Sequence, residues 1–97
     1  MRKRNNYNID PVKYYSKIWK LPARDIKDFI EIYEYNNKIW QFRRFKKWFS
    51  VSCHFNLTYK KWKKFVQYYK VYTLRKGLKL PPNAKITREF INRALKE

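Results

Sequence analysis

From residue 38 to residue 76 the chain carries twelve basic residues and no acidic one, with large rings set between the charges. Arg43-Arg44-Phe45-Lys46-Lys47-Trp48 states the pattern, and Lys60-Lys61-Trp62-Lys63-Lys64-Phe65 repeats it seventeen residues on. Charges this dense find no acidic partner within the segment. The cations must therefore stay wet while the rings between them are buried. Only regular elements with one covered face meet both demands.

The rest of the composition narrows what those elements can build. Twenty-five Lys and Arg stand against seven Asp and Glu, a formal net charge of +18 over 97 residues. That length specifies one small domain, residues 1–97, too short for a TIM barrel or a dinucleotide-binding fold. Self-repulsion opposes compaction, and aromatic residues at 21% of the chain supply burial against it. The single glycine argues against a phosphate-cradling loop, an arginine-glycine tail or a glycine-rich barrel. One cysteine excludes an intrachain disulfide framework. No apolar run reaches the roughly 18 residues of a membrane span, and Met1 to Asn8 lacks the apolar core of a secretory signal, so a product without a cleaved leader is expected. The Lys, Asn, Tyr, Ile and Phe bias is that of A+T-rich coding. It points to a mitochondrion or other organelle, with the cytoplasm of a phage-infected or A+T-rich host as the alternative.

Helix signals punctuate the chain. Asp10 caps and Pro11 opens a first helix with the stripe Val12, Tyr15, Ile18 and Trp19, ended by Leu21-Pro22. A second runs from Pro22 to about Tyr35 on Ile26, Phe29, Ile30 and Tyr33, with Asn36-Asn37 as the turn. Residues 38–49 read as a helix with Phe42, Phe45, Trp48 and Phe49 on one face, although Ile39 to Phe42 also suits a strand. Thr58 caps a helix over 59–76 with the stripe Trp62, Phe65, Val66, Tyr69 and Tyr72. Arg75 and Lys76 favour its last turn, and Gly77 is the expected left-handed terminator. A stiff Leu80-Pro81-Pro82-Asn83 connector precedes a last helix after Thr87, with Ile86 set to staple against Ile91.

Between these, Phe49, Val51, Cys53, Phe55, Leu57 and Tyr59 alternate with polar residues, a period of two that predicts a strand over 49–59. It needs a partner, within the chain or on a neighbour. The expected fold is mainly α, a small single domain with one or two short β-strands, or α+β. Residues 1–9 are expected as a flexible or RNA-embedded arm.

Catalysis finds little support. Cys53 and His54 are the chain's only cysteine and histidine, and on a strand they face opposite ways. Asp25, Asp28, Glu31 and Glu34 step by three and drift around their helix instead of converging on a cation, which suits a solvated face or a docking strip for basic neighbours. No enzyme, cofactor or metal site is expected.

Binding is better supported. Arg43, Arg44, Lys46, Lys47, Lys60, Lys61, Lys63 and Lys64 are the expected phosphate contacts, with Arg2, Lys3 and Arg4 in the arm. Trp19, Trp48 and Trp62 are assigned to packing. Trp40, projecting with Arg43, Arg44 and Lys47 on a helix over 38–49, is the ring expected to be free for stacking on a base. The basic set from 60 to 70 is all lysine, a point charge for phosphate rather than a reader of base edges. About ten residues with two prolines separate the last helices, too many for a helix-turn-helix. The expected partner is structured RNA, with neighbouring protein subunits, in a large ribonucleoprotein, most concretely an organellar ribosomal protein on rRNA. A DNA-binding architectural or regulatory protein is the alternative. An accessory subunit of a protein complex, or of a membrane complex through peripheral contact, is the other.

Overall fold

The protein is described by a computed structural model over residues 7–81 and 83–96. Five helices follow in order: α1 Pro11–Ile18, α2 Ala23–Tyr35, α3 Phe42–Ser52, α4 Tyr59–Gly77 and α5 Arg88–Lys96. Among the described residues the fold is all-helical.

Three starts are capped as the sequence dictates. Asp10 accepts from the Val12 amide at 2.8 Å, Thr58 Oγ1 from Lys61 at 3.2 Å, and Thr87 Oγ1 from Phe90 at 3.2 Å. Three ends share one device. Lys20, Asn37 and Lys79 take left-handed geometry at φ 56°, 60° and 56°. The next amide in each case folds back: Leu21 to the Ser16 carbonyl, Lys38 to Tyr33 and Leu80 to Arg75. This corrects the expected role of Gly77, which is the last residue of α4 and has no left-handed φ. The left-handed residue falls two positions later, at Lys79, after Leu78 caps the helix.

The core is built around Phe29. Its ring lies 4.6 Å from Phe45, 4.4 Å from Phe49 and 4.9 Å from Phe65, so α2, α3 and α4 meet on one side chain. Tyr15 brings α1 onto the same layer, edge-on to Phe65 at 4.8 Å. Trp19 continues it against Phe49, Phe55 and Phe65. Offset and edge-to-face pairs of this kind add roughly 0.5–1.5 kcal/mol each beyond their burial.

The strand over 49–59 is not present. Phe49 to Ser52 complete α3, and residues 53–58 are irregular. Phe49 and Leu57 are fully buried while Val51 and Tyr59 are 67% and 58% exposed, so the alternation does not define one face. Phe49 also lies four residues from Phe45, and the helical period fits it equally well. Contact with Phe29 selects the helix, which satisfies its amides internally where a lone strand cannot.

The buried line of α4 also departs from the expected stripe. Trp62, Phe65, Tyr68, Val71 and Arg75 are buried. Val66, Tyr69 and Tyr72 flank them as partly covered residues. Steps of three residues turn the line back by about 60° each, so it winds around the helix. Its lower half is covered by residues 7–9, the end of the expected arm. Tyr7 packs on Tyr68 at 5.1 Å, and the Tyr68 hydroxyl donates to the Ile9 carbonyl at 2.8 Å. Arg75 lies in the last turn as expected but is buried, and it donates to the Tyr7 carbonyl at 3.2 Å, to Asn8 Oδ1 and to the Pro81 carbonyl. One buried guanidinium thus joins the two flanks of the fold. The arm residues Arg2, Lys3 and Arg4 lie outside the described residues. Ile18, assigned to the α1 stripe, is 49% exposed.

Candidate nucleic-acid interface

On α3, successive side chains are about 100° apart, which lays Lys46, Arg43, Lys47 and Arg44 in sequence over an arc of roughly 160°. Phe45 and Phe49 occupy the opposite side and are buried. On α4, Lys63, Lys60, Lys64 and Lys61 cover a similar arc above the buried Trp62 and Phe65. All eight side chains are exposed. The burial of the neighbouring rings turns them outward, so core and charge pattern come from the same periodicity.

The two arcs meet where both helices begin. Phe42, the first residue of α3, lies edge-on to Tyr59, the first residue of α4, at 5.4 Å, and Trp62 stacks on Phe45 at 5.4 Å. Lys46 Nζ stands 5.9 Å from the Phe42 ring centre and Lys63 Nζ 5.6 Å from Tyr59. Lys61 Nζ lies 4.8 Å from Phe55. These aromatic faces hold the ammonium groups in place while leaving them wet. Neither helix has an acid in its first turn, and α3 has no side-chain cap. Cations there oppose the helix dipole by roughly 0.3–1 kcal/mol each at low salt. An anion laid across this junction would remove that conflict.

Trp40 is not the exposed ring. Because α3 starts only at Phe42, Trp40 precedes the helix and does not share the side of Arg43, Arg44 and Lys47. It stacks on Tyr33 at 3.7 Å and meets Trp62 edge-on at 5.2 Å, within the partly covered shell of the core. Trp19, Trp48 and Trp62 pack as expected. The most exposed Phe, Tyr or Trp rings are Tyr35, at 88%, and Tyr59, at 58%. Tyr59 was hidden in the alternating pattern. Tyr35 was legible in principle, since it lies about 160° around α2 from the buried Tyr33.

The remaining reactive groups are dispersed. Cys53 closes α3 half-buried, its thiol pushed up to about 11 by burial and by the carboxylates of Asp25 and Asp28. His54 beside it is exposed, at φ 53°. Glu34 accepts from the Tyr69 hydroxyl at 2.9 Å, tying the acidic helix to α4. No group of three metal-ligating side chains occurs among the described residues, and no helix there is long and apolar enough to cross a membrane. Compared with known proteins, the chain matches no protein-family profile, no curated protein and no solved structure.

Proposed function

We propose that this chain is a non-catalytic structural component of a large ribonucleoprotein, in its most concrete form an organellar ribosomal protein, that grips RNA phosphates through its α3–α4 face. One observation carries the reading: the Phe42–Tyr59 contact joins the two basic arcs into one surface, drawn from a stretch with no acidic residue. Lysines dominate the α4 half, which suits a phosphate track more than base-edge readout. Eight phosphate contacts would give a log–log salt slope of about −7 on a DNA duplex. Binding would also relieve the self-repulsion of the free chain.

The test is titration of a structured RNA, and of a DNA duplex of equal length and charge, across a salt series. Tighter RNA binding with a steep slope is expected, and single Lys→Ala changes on the face should each lower affinity modestly and about equally. Preference for the DNA duplex would transfer the reading to a DNA-binding protein. In native lysate, migration in a large particle that survives exhaustive RNase treatment would point instead to a protein or membrane complex.

A further inference from the structure

Of the Phe, Tyr and Trp rings, the two most exposed lie on the two flanks of one basic arc. On the α3 arc, Arg44 and Lys46 are the outermost charges, one at each edge. Arg44 lines a recess of about 240 Å³ with Tyr35, Asn36, Asn37, Ile39 and Gln41, at the turn between α2 and α3. Lys46 sits over Phe42, whose ring meets Tyr59, and Lys63 closes the far side. Each flank thus presents an exposed tyrosine ring beside a cation.

A tyrosine 88% exposed gains little from the fold that holds it. Tyr35 ends α2, while Tyr33, two residues before it, is spent in the core against Trp40. An exposed ring beside guanidinium or ammonium groups is what an unpaired nucleotide needs. Its base has a π-face to cover, and its phosphate lies within reach of the charge. A continuous duplex offers phosphates but no free base face. The amides of Asn37 and Gln41 at the rim of the first recess add donors and acceptors suited to a base edge.

We infer that Tyr35 and Tyr59 are stacking platforms for unpaired bases of the RNA, with Arg44 beside the first and Lys46 and Lys63 beside the second holding the adjoining phosphates. This rests on the phosphate-binding reading above and adds the class of RNA: a loop or bulge spanning the start of α3, not duplex alone.

The experiment compares the full chain with its Tyr35→Ala, Tyr59→Ala, Tyr35→Phe and Tyr59→Phe variants. Each is titrated with an RNA hairpin bearing a single-stranded loop and with a blunt RNA duplex of the same nucleotide count, at one fixed salt. The wild-type chain should prefer the hairpin. Each Ala variant should lose about 5- to 150-fold in hairpin affinity, and each Phe variant should retain the preference. Tyr35→Ala should leave duplex affinity unchanged, which also certifies its fold, whereas Tyr59→Ala, which removes the Phe42 contact and the ring under Lys63, should weaken the hairpin more than the duplex. If both Ala variants bind the hairpin like wild type while Lys60→Ala and Lys63→Ala weaken both RNAs, the stacking inference is overturned and phosphate binding stands. If the wild-type chain binds neither RNA at low salt, both fall together.

Discussion

Lys20 and Lys79 hold backbone geometry that glycine adopts freely, while the one glycine occupies a helical position. A Cβ at Gly77 would meet nothing within 4 Å. Gly77→Ala should therefore stabilise the fold by about 0.5–1 kcal/mol, raising Tm by roughly 2–8 °C. Lys79→Gly should also stabilise, by less, because relief of the left-handed strain is partly offset by a more flexible unfolded chain. Thermal unfolding of both variants checks the pair. At Cys53 the fold prefers the neutral thiol, since burial beside Asp25 lifts it from 9.0 to about 11. The sign is that of a raised pKa: its contribution is complete below 9, and is lost as pH rises toward 11. Burial lifts the Tyr68 hydroxyl to about 12 with the same sign. Urea midpoints should fall above pH 9. Alkylation of native Cys53 should be slow at neutral pH, far slower than in the unfolded chain, and should accelerate through the same range.

At the scale of the element, α3 and α4 begin with cations where their dipoles favour anions. Lys60, exposed in the first turn of α4, gives a direct test. Lys60→Glu should raise the stability of the free protein by about 0.3–1 kcal/mol and lower its RNA affinity, with a shallower salt slope. A charge placed for solubility alone would move stability without touching binding. The same two helices show where local pattern is sufficient. Thr58 and the Trp62–Phe65 pair specify α4 within a few residues, and Phe42, Phe45 and Phe49 specify α3. Period-two alternation begins on Phe49, a residue that serves both patterns. The choice between helix and strand there belongs to Phe29, twenty residues away.

At the scale of the molecule, a chain of net charge +18 folds into dimensions of 38 × 34 × 21 Å. The screening length is about 30 Å at 0.01 M salt and about 8 Å at 0.15 M. At the lower salt charges across the body repel, and at the higher only neighbours do. Raising salt over this range should increase Tm, by roughly 4–8 °C for each 1 kcal/mol of repulsion removed. RNA affinity should fall over the same range. Opposite responses of stability and affinity, measured in one buffer series, are expected if the surface charge serves a partner and not the fold.

The sequence by itself determined the features whose causes lie within one or two turns: the Asp10, Thr58 and Thr87 caps, the five helical segments apart from the last turn of α3, and the outward turn of Arg43, Arg44, Lys46, Lys47, Lys60, Lys61, Lys63 and Lys64. Their exposure follows from the rings beside them. Tertiary structure decided what depends on partners distant in the chain. It placed Trp40 on Tyr33 and left Tyr35 and Tyr59 the exposed tyrosines. It bent the buried line of α4 beneath residues 7–9 and drew Arg75 inward to their carbonyl groups. Periodicity states that a ring must be covered. Which ring is covered depends on the surface that packs against it, and that surface exists only once the helices have met.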